Sequence, residues 1–132
     1  MSQDSLQVVQ AFYEAMKTGN VPGALGQLDP NVDWNEAENF VYADQSPYRG
    51  TDDLVNGLFL RFVTAWEGFG AVPEQFIANG DRVVALGRYR GTYRETSKSV
   101  DAQFAHVYKV ANGKIVHFQQ YTDTAQFRDV TK

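Results

Sequence analysis

From about residue 72 onward the spacing of apolar positions is that of strands throughout. Before that point apolar side chains mostly recur every three or four residues, with one alternating stretch between. Leu6, Val9, Phe12, Tyr13 and Met16 form one stripe, which predicts an opening amphipathic helix. Asp4 or Ser5 can cap its start, Lys17 complements its dipole, and Gly19 suits a left-handed stop. A short second helix is predicted after Asn20, with Pro22 in its first turn, Leu25 and Leu28 facing inward, and Asp29-Pro30 as its end. Residues 32–38 alternate like a short strand, which puts Trp34 and Glu36 on one face. Phe40-Val41-Tyr42 reads as a small strand or a flap. Thr51 then caps a third helix whose stripe is Leu54, Leu58, Phe59, Phe62, Val63 and Trp66, with Gly68 and Gly70 as its stop.

From Val72 onward the period is two. Residues 73–78 are expected to pair, through Ala78-Asn79-Gly80, with a strand from Arg82 to about Arg94. That strand turns at Thr96-Ser97 into two further runs, VDAQFAHVYKV and KIVHFQQYTD. The link Ala111-Asn112-Gly113 decides their faces. A two-residue Asn-Gly turn sets His106 opposite Gln119, whereas a three-residue loop with left-handed Gly113 sets it opposite Phe118. The three-residue loop is the expectation. It gathers Phe104, His106, Tyr108, Val116, Phe118, Gln120 and Thr122 on one face, an aromatic wall with one imidazole and one amide, as in small-molecule pockets. Ala105, Val107, Ile115 and Tyr121 then form an outward apolar strip too large to stay wet. Helices first and a strand meander last imply the α+β class: a curved antiparallel sheet wrapped around the N-terminal helices, making a cone with one open end.

Composition narrows the function classes. The 132 residues suit a single domain, 1–132, and the 43% hydrophobic content suffices for a core. A net charge of −4 without a basic cluster argues against nucleic acid and anionic membranes as partners. There is no cysteine, and the two histidines lack metal-site spacing, so no metal and no cofactor are expected. Without a long apolar run or a leader-like segment, the expected location is cytoplasmic.

Three stretches carry a resemblance: the opening VVQAFYEAMKTGNV, the PYRG turn before the third helix, and the closing AHVYKVANGKIVHFQQYTDTA. The chain resembles the nuclear-transport-factor-2-like (cystatin-like) superfamily, in its SnoaL-like and ketosteroid-isomerase-like group. The resemblance implies a cone-shaped pocket and a homodimer formed through the convex side of the sheet. Carried over by position, the isomerase's general-base carboxylate falls on Glu36 and its hydrogen-bond-donating acid on His106. Its phenol donor falls on Phe12, which has no hydroxyl, and Tyr13 lies about 100° further round the helix. The acid/base carboxylate of SnoaL-like cyclases falls on Asp123.

The function expected is that of a cofactor-free isomerase or cyclase acting on an apolar carbonyl compound through a Glu36–His106 pair. Glu36 would take the proton, and His106 would donate to the oxygen that gains charge. Phe12, Met16, Leu28, Trp34, Leu58, Phe104, Phe118, Gln120 and Thr122 are the expected ligand contacts. Burial among them should raise the Glu36 pKa. Two other readings are open: a domain that binds a small ligand without changing it, and an epoxide-hydrolase-like enzyme using Arg88 or Arg90 with Asp101.

Overall fold

The computed structural model describes residues 2–132. Helix α1 (Ser2–Lys17) is followed by α2 (Val21–Leu25), where the Asn20 side chain accepts from the Gly23 N–H. Strand β1 (Leu28–Asn35) comes next, then a 3-10 turn (Ala43–Gln45) and the short β2 (Tyr48–Arg49). One helical run spans 50–65: α3 (Gly50–Leu54), a π-helical turn (Val55–Phe59) and α4 (Leu60–Ala65). Strands β3 (Trp66–Asn79), β4 (Arg82–Tyr93), β5 (Ser99–Ala111) and β6 (Lys114–Thr122) follow, and α5 (Thr124–Val130) closes the described chain. The six strands form one sheet in the order β2-β1-β6-β5-β4-β3. The α+β class holds, but the sheet is mixed, because β1 and β6 run parallel while the other neighbours are antiparallel.

Several boundaries differ from the expected ones for local reasons. Leu28, Asp29 and Pro30 belong to β1 rather than α2. The β1–β6 register is irregular between Leu28 and Asp33, so Pro30, which has no N–H, sits where the ladder asks no donor of it. Trp66 is extended (φ −123°, ψ 151°) and opens β3 opposite Tyr93 instead of closing the helix. Val63, from the expected stripe, is exposed. Phe40 and Tyr42 form neither strand nor flap, since both rings are buried and Tyr42 Oη accepts from the Trp66 indole N–H at 2.9 Å.

The hairpin between β5 and β6 corrects the expected register. Ala111 pairs with Lys114 across a two-residue turn, with Asn112 (φ 53°) and Gly113 (φ 74°) both left-handed. An extra residue, Val116, then bulges from β6 between the pairs Val110–Ile115 and Lys109–His117. His106 therefore lies opposite Gln120, with Phe118 opposite Tyr108. The shift from the expected pairing is an even number of residues, so Phe104, His106, Tyr108, Phe118 and Gln120 still share the inner face, and all are buried. Only the residues before the bulge change sides, and Ile115 is buried where Val116 was expected.

Close packing bends the far side of the sheet. The β3–β4 pairing slips twice, between Glu67 and Gly70 and between Pro73 and Gln75. A Cβ at Gly87 would lie 2.0 Å from the Val72 carbonyl oxygen and 2.8 Å from the Phe104 ring, so only glycine fits there. The resulting concave face holds α1 through Val9, Phe12 and Tyr13, and α5 through Phe127.

Candidate functional site

The inner wall of β4, β5 and β6 carries a chain of hydrogen bonds among side chains that are all buried. Tyr108 donates to Tyr13 Oη at 2.7 Å. Tyr13 Oη lies 2.6 Å from His106 Nδ1, and Tyr89 Oη lies 2.5 Å from His106 Nε2. Gln120 Nε2 donates to Tyr89 Oη at 2.9 Å, while its Oε1 accepts the Ala37 N–H at 3.0 Å. A backbone N–H can only donate, so the Gln120 amide orientation is settled by the fold. Rings complete the enclosure: Phe104 stacks on His106 at 3.9 Å and Phe118 on Trp34 at 3.7 Å.

Two titratable groups are strongly perturbed there. Burial pushes the Glu36 carboxyl up to about 8, offset in part by the Trp34 indole N–H and more weakly by Arg61. Burial also drives His106 down to about 3, so its imidazole is neutral at physiological pH. Among the described residues no ion pair reaches Glu36. The Trp34 indole Nε1 is buried without a well-formed hydrogen bond of its own.

The expected site residues divide accordingly. Phe12, Leu28, Trp34, Leu58, Phe104, Phe118, Gln120, Glu36 and His106 are all buried. Burial along α1 stops at Tyr13, and Met16 in the last turn is 42% exposed, outside this group. Asp123 is exposed and caps α5, accepting the Gln126 N–H at 3.2 Å. Thr122 is half-buried and donates to the Gln103 carbonyl at 2.8 Å. His106 cannot present a free donor to a ligand as expected, because phenols occupy both ring nitrogens. Tyr13 and Tyr89 are the residues that sequence reasoning passed over. Tyr13 reaches the wall because α1 buries a face wide enough to include both Phe12 and its neighbour. Tyr89 lies in an alternating strand, where its inward parity was the available signal.

Two surface clefts flank this interior. One, of about 540 Å³, opens over the ends of β1 and β6 and is bordered by Asn35, Glu36, Glu38, Gln119 and Thr122. Of the expected site residues, only Glu36 and Thr122 border it. The other, of about 260 Å³, lies against the π-helical turn beside Tyr48 and Gly57. There Arg61 binds the Gly57 carbonyl at 2.7 Å, the Tyr48 hydroxyl at 2.6 Å and Asp44 through both terminal nitrogens. Among the described residues no cluster of His, Asp or Glu is placed to hold a metal ion. The Arg88–Asp101 pair (2.7 Å) is exposed and lies on the outer face, away from His106.

Comparison with known proteins agrees with this architecture. The SnoaL-like domain profile matches residues 9–118, most of the chain. The chain belongs to the SnoaL-like domain family. This SnoaL-like chain is 34% identical to an NTF2-like protein from Burkholderia thailandensis E264, over 97% of both chains, with a TM-score of 0.92. TerC co-crystallised with polyporic acid shares the fold at 22% identity, over 96% of this chain and 97% of that one, with a TM-score of 0.84. A protein of ketosteroid-isomerase-like fold from Catenulispora acidiphila DSM 44928, in complex with trimethylamine, gives a TM-score of 0.77 at 15% identity, over 93% of this chain and 90% of that one. No curated protein matches the sequence. Among the described residues no helix is long and apolar enough to cross a membrane.

Proposed function

We propose that this SnoaL-like protein is a cofactor-free enzyme that moves a proton on a small apolar carbonyl compound, as in isomerisation or ring closure. The observation that carries the reading is Glu36, a buried carboxyl with no ion-pair partner among the described residues and a pKa pushed to about 8. A carboxyl placed so gains nothing for stability, and such groups concentrate at functional sites. In the proposed step Glu36 takes the proton from the carbon beside the carbonyl. The C–H electron pair becomes the new C=C bond, the carbonyl π pair moves to oxygen, and reprotonation returns the proton to another carbon. The reading takes the protein to work as a homodimer in the cytoplasm.

The test is hydrogen–deuterium exchange into a panel of cyclic ketones in D2O, followed by NMR. Exchange should be catalysed by the parent chain, rise with pH through about 8 as Glu36 ionises, and vanish in Glu36→Gln. Parental exchange rates in Glu36→Gln would overturn the assignment. The aromatic packing around His106, with Phe104 stacked on it at 3.9 Å and Phe118 edge-on at 4.8 Å, supports a second reading, a domain that holds a ligand unchanged. Ligand binding without exchange in any ketone would favour it.

A further inference from the structure

The hydrogen-bond chain around His106 has one more donor than it can use. A phenol has one hydrogen and two lone pairs, and a neutral imidazole has one N–H and one bare nitrogen. Tyr108 donates to Tyr13, so one lone pair of Tyr13 is taken. Gln120 donates to Tyr89, so one lone pair of Tyr89 is taken. His106 lies between these two phenols and can give its single N–H to only one of them. Whichever phenol receives it has both lone pairs filled, and its own hydrogen is left without a partner in the chain.

The surroundings decide which phenol that is. Tyr13 Oη is enclosed by His106 and Tyr108, with Phe12 and Phe76 packed edge-on to its ring; the rings offer no acceptor, and the Tyr108 hydrogen already occupies the line between the two phenol oxygens, so a spare hydrogen on Tyr13 could not be given back to Tyr108. Tyr89 lies on the Glu36 side. Gln120 joins its oxygen to the Ala37 N–H, the backbone group next to Glu36. Glu36 is also close enough to act on the Tyr89 phenol electrostatically. A spare hydrogen on Tyr89 therefore lies on the side of the interior that holds the Glu36 carboxyl, whereas one on Tyr13 would be stranded among rings, and a stranded buried donor is destabilising.

We propose that His106 carries its proton on Nε2 and gives it to Tyr89, so that the Tyr89 hydroxyl is the donor aimed at an oxygen of the ligand beside Glu36. The ligand class is a molecule with a carbonyl, enolate or phenolate oxygen. Tyr89 thus supplies the phenol that Phe12 lacks, from β4 instead of α1. His106, Tyr13 and Gln120 are positioning residues that act through it. This inference deepens the Glu36 reading and rests on it for the place of the ligand.

Two measurements test it. The first needs no ligand: 15N NMR of the histidine-labelled parent chain, with His117→Gln to assign the two rings. His106 should show the neutral Nε2–H tautomer, unchanged between about pH 8 and 5, and an Nδ1–H tautomer would overturn the proposal. The second is 4-nitrophenol binding near neutral pH, where the probe is largely ionised and Glu36 is still largely protonated, followed by its absorbance. Tyr89→Phe, which keeps the ring, should weaken binding at least about tenfold, as expected for a lost hydrogen bond to a charged oxygen. Tyr13→Phe should weaken it less and should release the tautomer preference. Equal affinity for parent and Tyr89→Phe, or no binding to the parent, would overturn Tyr89 as the donor. Ketone exchange that depends on Glu36 would survive either result, so the two readings fail separately.

Discussion

Glu36 and His106 shape the pH dependence of folding in opposite directions. A free carboxyl titrates near 4.5 and Glu36 near 8, so between those values the folded chain holds a proton that the unfolded chain releases. Stability from this group is therefore lost as pH rises through that window. A free imidazole titrates near 6.5 and His106 near 3, so the unfolded chain binds the extra proton there and stability is lost as pH falls. The two slopes cancel where the windows overlap. Thermal unfolding should show a plateau between about pH 4.5 and 6.5 from these groups, with a decline on each side. Glu36→Gln should flatten the alkaline limb, and an alkaline limb unchanged by that substitution would mean that Glu36 is solvated. At this scale His106 was legible in the sequence, because an imidazole interrupts apolar alternation, whereas Glu36 sits in a polar run and was singled out by its position in the family resemblance. The partners of His106 were not legible, since Tyr13 and Tyr89 look like any other ring in a core.

Among the elements, β4 and α5 depend on single residues whose replacement has a definite cost. Gly87→Ala would drive a Cβ into the Val72 carbonyl, and backbone cannot give way as a side-chain tip can. Overpacking of this kind costs roughly 1–3 kcal/mol. Denaturant unfolding should report that loss, and an unchanged midpoint would show that β3 is free to move off β4. Asp123→Ala removes the cap of α5, with an expected loss of about 0.5–2 kcal/mol and no effect on ketone exchange. Loss of exchange in that variant would restore Asp123 as a candidate acid. Helix α1 and strands β4, β5 and β6 were readable from period because each buries one face. The turn between β5 and β6 was not, since its Asn-Gly pair and the Val116 bulge are two separate devices whose combined effect on register is invisible until the pairing is seen. Residues 124–130 carry too few apolar positions for a periodic signal, although Phe127 is fully buried.

Across the whole molecule, the outer face of the sheet carries a patch that a second copy can cover. Ile77, Val84 and Val107 form one cross-strand row, and Leu86, Ala105 and Tyr121 form the next. Ile77 is 50% exposed and Tyr121 57%. Light scattering at micromolar concentration should give the mass of a dimer, and the double variant I77K/Y121E should give a monomer. A monomeric parent would remove the homodimer from the reading. The parallel pairing of β1 with β6 bears instead on how the chain reaches this state. Residues 33–35 find their partners at 117–119, 84 residues further along the chain. Contacts that distant are entropically expensive to close, so they form late. During synthesis the strand bearing Trp34, and Glu36 just beyond it, must wait, open on one side, until β6 emerges. Throughout that interval the chain exposes an unfinished sheet edge, and the nascent protein is then most vulnerable to aggregation.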